Sequence, residues 1–494
     1  MKIAMIKNFI LFFILTIYSF GQSQNGLNSI TKEELFQTVT YLSSEELEGR
    51  LAGTEGYNLA ADFSSDKFFD LKLKPFNGMS YYQDFLIECN EIQNPYKFNL
   101  IKNDEIVNKY QLGKDFAFRG FTGSGDFTAD VVYCGYGISQ PKIGYDDYSN
   151  IDVNGKIVMV FKFNPSWKIE DNQWTPATPR FKSKVAFEHG AKGILFVSFP
   201  NDENPQKPIG SVMCGEGEQL EDFPQLHIDI PVADEFLNGS GYNLKGLQTK
   251  IDSSKQPFSV TLNSQAEIFV KANYRKEAPT KNVIGILEGK DPILKDEYII
   301  IGAHLDHVGQ QANEIYFPGA NDNASGSAAV LEIAEAFVEG RINNKRSIIF
   351  ILFAGEESGL KGSQYYADNP IVPLEKTVAM LNMDCIGVGD SIMIGSGQSC
   401  PNLWNLIKEI DKKYYNMSVS NTWKGGGADA QPFFDKGVPT AYFVTTNSYP
   451  HLHLTTDKPE TLNLDLYEKM VKLVFLTAEK IANGEYERED IIVN

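Results

Sequence analysis

The sequence predicts an α/β protein whose mainly parallel, mixed sheet is flanked by helices, with a β-rich block inserted into it. Three observations predict this. From Thr280 onward, short continuous apolar runs alternate with amphipathic stretches, the order expected of a sheet covered by helices on both faces. From about Asp84 to Ala272 the runs are short, alternate apolar with polar residues, and are separated by Gly, Pro, Asn and Asp turns, the pattern of half-buried strands. Residues 30–72, ahead of both, read as helices.

The elements follow in order. In KEELFQTVTYLSSEEL, Leu35, Val39 and Leu42 fall at helical spacing, and AADFSSDKFFDLKL makes a second helix. The β-rich block holds the strand-like runs ADVVYCGYGI, GKIVMVFKF, KGILFVSF and FSVTL, with one helix around FKSKVAFEHGA. Beyond it KNVIGILEG, EYIIIGAH, SIIFILFAG, TVAMLNMD and TAYFVTT read as strands. ASGSAAVLEIAEAFVEG, NLWNLIKEIDKKY and LYEKMVKLVFLTAEKIANG read as the helices between and after them.

A chain of 494 residues is long enough for two domains or more. Its formal net charge of −19 argues against nucleic acid and anionic membrane as partners, because both are polyanions. The N-terminus carries Lys2 and Lys7, then an apolar run from Phe9 to Phe20, then Gly21. That run is too short for a bilayer, which needs about 20 residues, and is expected to be a secretory signal peptide. The mature protein is then exported, periplasmic or extracellular, with no membrane span. Five cysteines without a C-x-x-C pair exclude a disulfide scaffold and a thiolate zinc site; a buried, inert role is expected for each.

Ligand sites in open α/β sheets form at the carboxyl ends of the strands. There the sequence is rich in donors. EYIIIGAH ends in His304 and is followed by Asp306 and His307; SIIFILF is followed by Glu356 and Glu357; TVAMLNM by Asp384; TAYFVTT by His451 and His453. Asp322 lies in a Gly/Asn-rich turn that opens a helix. Singly, each has a plain structural use, such as an N-cap for Asp322. Together, four of the six histidines and a set of carboxylates gather at one end of one sheet. Imidazole and carboxylate suit zinc, and also manganese or cobalt. A single catalytic zinc takes three protein ligands, so this larger set points to two ions about 3.5–4 Å apart sharing a carboxylate. Of Glu356 and Glu357, one is expected to bind metal and the other to accept a proton. Asp306 is placed to fix the tautomer of His304. No G-x-S-x-G or strand-to-helix GxGxxG is present, which argues against serine-hydrolase and dinucleotide readings.

The blocks GAHLDHVG, GANDNASGSAAVLEIA, FAGEESGLKGSQYY, NMDCIG and HLHLTTDKPETL resemble, in order, the five motifs of the co-catalytic zinc exopeptidases, a family that includes secreted bacterial aminopeptidases and glutamate carboxypeptidase. YLSSEELEGRLAGTEGYNLAADF is similar to that family's opening segment, and YDDYSNIDVNGKIVMV with AFEHGAKGILFVS resembles its protease-associated insert. The resemblance implies a zinc-exopeptidase-like fold with a signal peptide over 1–21, catalytic segments over 26–84 and 273–486, and a protease-associated insert over 85–272. It implies that His304 and Asp384 bind one zinc, Glu357 and His453 the other, and Asp322 both, with Asp322-Asn323 strained or cis. Glu356 becomes the general base and Asp306 the support of His304. His453, four residues before Asp457, is selected over His451; His307 and His451 are expected behind the ligands or at the surface. GGGADAQPFF departs from the family's Ser-Asp-His, since Ala428 and Ala430 flank Asp429, and Leu454 stands where Thr is common. The implied activity is aminopeptidase cleavage of peptide substrates. Carboxypeptidase, glutaminyl cyclase and a metal-free receptor-like binding protein are the alternatives.

Overall fold

A computed structural model of the chain describes residues 23–493 apart from residue 216; the expected signal peptide, 1–21, lies outside these residues. The half that carries the motifs is built on parallel strands. Tyr298–His304 lies between Ser347–Phe353 and Thr377–Met383 and runs parallel to both. Thr440–Thr445 adds in parallel beyond Thr377–Met383. Ile392–Ile394 and the end of a long strand, Ser259–Leu287, close the two sides in antiparallel fashion. The chain leaves Tyr298–His304 for the neighbour on one side, then returns to the neighbour on the other. That is a topological switch point, where a crevice opens beyond the strand ends.

Composition explains the placement. Ile299, Ile300 and Ile301 are β-branched and fully buried, which suits a strand covered on both faces; each such side chain contributes about 1.5–3 kcal/mol by leaving water. The helix Ser325–Glu339 covers one face with Ala328, Val330, Leu331, Ile333 and Phe337, and Leu464–Ala482 packs beside it through Met470, Val471 and Phe475. Lys32–Leu42 and Glu55–Asp70, the two helices expected at the N-terminus, join the same core through Leu35, Val39, Tyr57 and Phe68.

Residues 85–272 are rich in strands, as expected, but hold more helix than the one anticipated. Besides the anticipated helix, Pro179–Glu188, there are two more, Ile230–Leu237 and Leu244–Ser254. Both are short, and their caps are local: Asp229 accepts the Ile230 N–H and Asn243 the Gly246 N–H. Strand periodicity elsewhere in the block masked them. Strands Gly125–Cys134, Ile157–Phe161, Gly193–Val197 and Gln225–Ile228 form a parallel set with cores of its own. The expected boundaries at 84/85 and 272/273 fall inside two long strands, Tyr82–Lys102 and Ser259–Leu287, which pair antiparallel and carry the sheet from one half into the other. The five cysteines are free; four are buried, but Cys214 is exposed, because it lies on a surface loop rather than in a core. Among the described residues no helix is long and apolar enough to cross a membrane.

Candidate metal centre

The strand ends deliver the side chains. His304 is the last residue of its strand and is buried. Asp384 directly follows Thr377–Met383. After Phe353 the chain turns at Gly355, whose φ of 73° would strain any residue with a Cβ, and that turn presents Glu356 and Glu357. Asp322 sits in the crossover before the Ser325–Glu339 helix, and the Asp322-Asn323 peptide is cis. His453 comes from the loop after Thr440–Thr445.

Two groups of donors result. His304 Nε2 lies 3.4 Å from Asp322 Oδ1 and 3.4 Å from Asp384 Oδ1. His453 Nε2 lies 3.1 Å from Asp322 Oδ2 and 3.0 Å from Glu357 Oε2. Asp322 therefore turns one oxygen to each group. His307, expected behind the ligands or at the surface, is buried in the second group with Nδ1 2.8 Å from Glu357 Oε1. Its sequence signal was its position three residues after His304, in the same strand-end turn. His451 is remote from both groups and meets Thr456 Oγ1 at 2.9 Å.

Further residues hold this geometry and were not singled out from the sequence. Arg50, fully buried, donates to the carbonyls of Leu305, Pro318 and Gly319 at 2.8–3.0 Å, clamping the His304 turn to the Asp322 turn. Asp457, used above only to place His453, accepts the backbone N–H of Asn321 at 2.9 Å and of Asp322 at 3.0 Å. Asn323 donates to Met383 O at 2.9 Å, next to Asp384. Tyr442 donates its hydroxyl to Asp384 Oδ2 at 2.8 Å, leaving Oδ1 toward His304. Asp306 reaches His304 Nδ1 through its backbone oxygen at 3.1 Å; its carboxylate is 3.8 Å away and accepts the Glu356 N–H at 3.2 Å. Asp306 thus orients His304 with its main chain and the Glu356 turn with its side chain.

The electrostatics ask for a cation. Among the described residues no lysine or arginine pairs with Asp322, Glu357 or Asp384; the only groups near them that can carry positive charge are imidazoles. Burial alone pushes the His304 imidazole down, but Glu356, Asp322 and Asp384 outweigh it and hold it well above its ordinary value. Burial likewise opposes charge on His453, yet Glu357 and Asp322 hold it well above the usual range. Burial is the main pressure on Asp322 and Glu357 too; the histidines overcome it and bring Glu357 down to about 2 and Asp322 well below its normal range. Imidazolium stands in here for the positive charge that divalent ions would supply, so the donor set fits two such ions. Glu356 is pushed well above the carboxylate range by burial, reinforced by Asp429, Asp384 and Glu357. Asp429 is fully buried, neither of its oxygens has a hydrogen-bond partner among the described residues, and burial raises it to about 6.

The block 85–272 reaches this centre. In its 199–224 loop, Gly210 N–H donates to His453 O at 2.8 Å, and Val212 packs with Val308 and Phe317. His189 stacks on Tyr148 at 4.3 Å, and His227 is buried beside Ser198; neither belongs to the two donor groups.

A parallel sheet whose switch point gathers paired carboxylate–imidazole sites defines the class of co-catalytic zinc exopeptidases. Residues 282–478 match the sequence profile of peptidase family M28. The aminopeptidase of Pseudomonas aeruginosa is 27% identical over 406 residues, covering 79% of this chain and 65% of that protein. Aminopeptidase YwaD of Bacillus subtilis is 28% identical over 224 residues, 43% of this chain and 47% of the other. The chain thus spans about half the length of the first curated relatives it matches. The fold is shared with the M28 peptidase precursor of Shewanella amazonensis, at TM-score 0.71 and 20% identity over 97% of this chain and 100% of that one. It is also shared with a zinc aminopeptidase of Bacillus subtilis, at TM-score 0.64 and 19% identity over 94% and 98%.

Proposed function

We propose that this chain is an exported di-zinc aminopeptidase that removes N-terminal residues from peptides. The observation that carries this reading is Asp322, whose two oxygens face two separate donor groups, His304 with Asp384 and His453 with Glu357. Zinc ions held there supply the positive charge that acidifies a water molecule and stabilises the oxyanion formed at the scissile carbonyl.

The other roles belong to side chains. Glu356 takes the proton from the attacking water and returns it to the leaving amine. Its high proton affinity suits an acid as well as a base. Asp306 holds the Glu356 turn in place through the Glu356 N–H. Tyr442 restricts Asp384 to one free oxygen. No side-chain nucleophile takes part.

Residues 26–84 and 273–486 form the catalytic part in this reading, and 85–272 a protease-associated insert whose 199–224 loop walls the site beside His453. Relatives named as aminopeptidases favour the amino end over the carboxyl end as the place of cleavage. The test is a panel of aminoacyl chromogenic substrates run beside N-blocked versions, before and after chelation and zinc return. Cleavage that needs both a free amine and zinc is expected; equal cleavage of blocked substrates overturns the aminopeptidase reading.

A further inference from the structure

We propose that His307 is a positioning residue: its Nδ1–H donates to Glu357 Oε1 and forces Glu357 to bind its ion through Oε2 alone. The inference rests on the two-ion reading above, and it assigns His307 a part different from that of His304 and His453.

Distance sets His307 apart from His304; His453 Nε2, at 3.0 Å from Glu357 Oε2 and 3.1 Å from Asp322 Oδ2, lies between the two cases. Two donors about 2.0–2.1 Å from one tetrahedral zinc lie about 3.4 Å apart. His304 Nε2 meets that spacing to both Asp322 and Asp384, at 3.4 Å each. His307 Nδ1 is 2.8 Å from Glu357 Oε1 and 3.7 Å from Asp322 Oδ2. The short contact falls in the range of about 2.7–2.9 Å for a charge-assisted N–H···O⁻ hydrogen bond. Oε2, the other oxygen, is the one that faces His453.

The second ring nitrogen agrees. A metal-ligating histidine almost always donates its remaining N–H to an oxygen. His304 does so, with Nδ1 at 3.1 Å from Asp306 O. His307 Nε2 is buried with no partner among the described residues. Were Nδ1 bound to metal, the proton would sit on Nε2 as an orphaned buried N–H, which is rare and costly. With the proton on Nδ1, Nε2 keeps only an unpaired lone pair.

The ring cannot turn to find another arrangement. His307 is fully buried, and its backbone N–H donates to Arg50 O at 3.1 Å. It lies flat against Gly319, where a Cβ would come within 2.5 Å of two ring carbons. Arg50 fixes Gly319 O at 3.0 Å, so the wall is held by the clamp that joins the two ligand turns. The consequence is chemical. A glutamate limited to one oxygen leaves a position open for water or substrate, as a catalytic site requires; a glutamate free to use both would fill it.

The test is zinc titration of the chelator-stripped full chain by calorimetry, with the visible spectrum of the cobalt-substituted protein. Wild type is expected to take two ions. His307→Ala should still take two, with the weaker site loosened about 10–100-fold, as for lost partners of metal ligands. Its cobalt absorption should weaken as Glu357 becomes bidentate. His307→Asn places an amide N–H where Nδ1–H stood and should restore both the affinity and the spectrum. His307→Gln places it one bond too far and should not. If His307→Ala does not fold, the Asn and Gln pair decides. Asn no better than Gln, a fall to one ion in His307→Asn, or an Ala variant equal to wild type overturns the proposal. A wild-type chain that takes up no zinc would instead fail the two-ion reading itself.

Discussion

Two regions of this molecule bury charged side chains and satisfy them in different ways. Around the metal centre the buried groups include the acids Asp306, Asp322, Asp384, Asp429 and Asp457, with Glu357 beside them and Arg50 behind. In the 85–272 block they include the cations Arg119, Lys162, Arg180 and Lys182, together with the acid Asp147. Lys182 donates to the carbonyls of Tyr136, Phe161 and Phe163 at 2.8–3.0 Å. Lys162 is met by Gln206, and Arg180 by Gly215 O and Glu88. Lys162, Arg180 and Lys182 serve separate backbone and side-chain oxygens and tie loops together, while Arg119 lies over the Phe121 ring. In the catalytic part Asp306 and Asp457 likewise accept backbone N–H groups, whereas Asp322, Asp384 and Glu357 aim oxygens at shared points where the only charged partner is imidazole. The difference teaches how to read buried charge. Dispersed and satisfied by the fold, it is structural; convergent and satisfied only by titratable groups, it marks a place for a ligand of opposite sign.

The largest test of that contrast removes the shared acid. Asp322→Ala should lose both ions, with zinc per chain falling toward zero by atomic spectrometry, and peptidase activity should disappear. Retention of two ions would show that the donors do not converge as a unit. Next in size is Glu356→Gln. It should keep two zinc ions and lose about 10²–10⁴ in kcat, the range of general acid–base catalysis; a variant that loses zinc instead would make Glu356 a ligand. Lys182→Met probes the other region. Removing three hydrogen bonds from a buried ammonium should cost about 2–3 kcal/mol in urea unfolding while zinc content stays at two. Loss of zinc there would break the division between structural and functional charge.

The smallest effect concerns a buried acid outside both groups. Glu332, on the Ser325–Glu339 helix, is buried, and burial raises it to about 8, reinforced by Glu335 and Glu34. A carboxyl with a folded value above its unfolded one contributes stability below about pH 4.5 that is lost as pH rises toward 8. Glu332→Gln should therefore melt like wild type near pH 4.5 and at a progressively higher temperature than wild type up to about pH 8, above which the gap levels. A gap constant with pH would assign the effect to packing instead of ionisation.

Much of this was legible in the sequence, and for identifiable reasons. Unbroken runs such as Ile299 to Ile301 name a buried strand, and the donors that follow each run must then emerge at the same sheet end. The legible part stopped where direction matters. His307 and His451 look alike in sequence, each beside a ligand, yet one is buried against Glu357 and the other faces Thr456. Arg50 sits 255 residues from the Leu305 carbonyl it holds, so nothing local announces that contact. The helices Ile230–Leu237 and Leu244–Ser254 were missed because each spans too few turns for its period to stand out among strands.

What the sequence determined by itself was the order of strands and helices and the kind of atom waiting at each strand end, because periodicity and residue type are local properties. Tertiary structure alone decided which oxygen of Asp322 faces which histidine, that Asp306 reaches His304 through its main chain, and that a loop of the 85–272 block rests on His453. Those are matters of side-chain direction across turns, and direction is set by long-range clamps such as Arg50 and Asp457, which only a folded chain assembles.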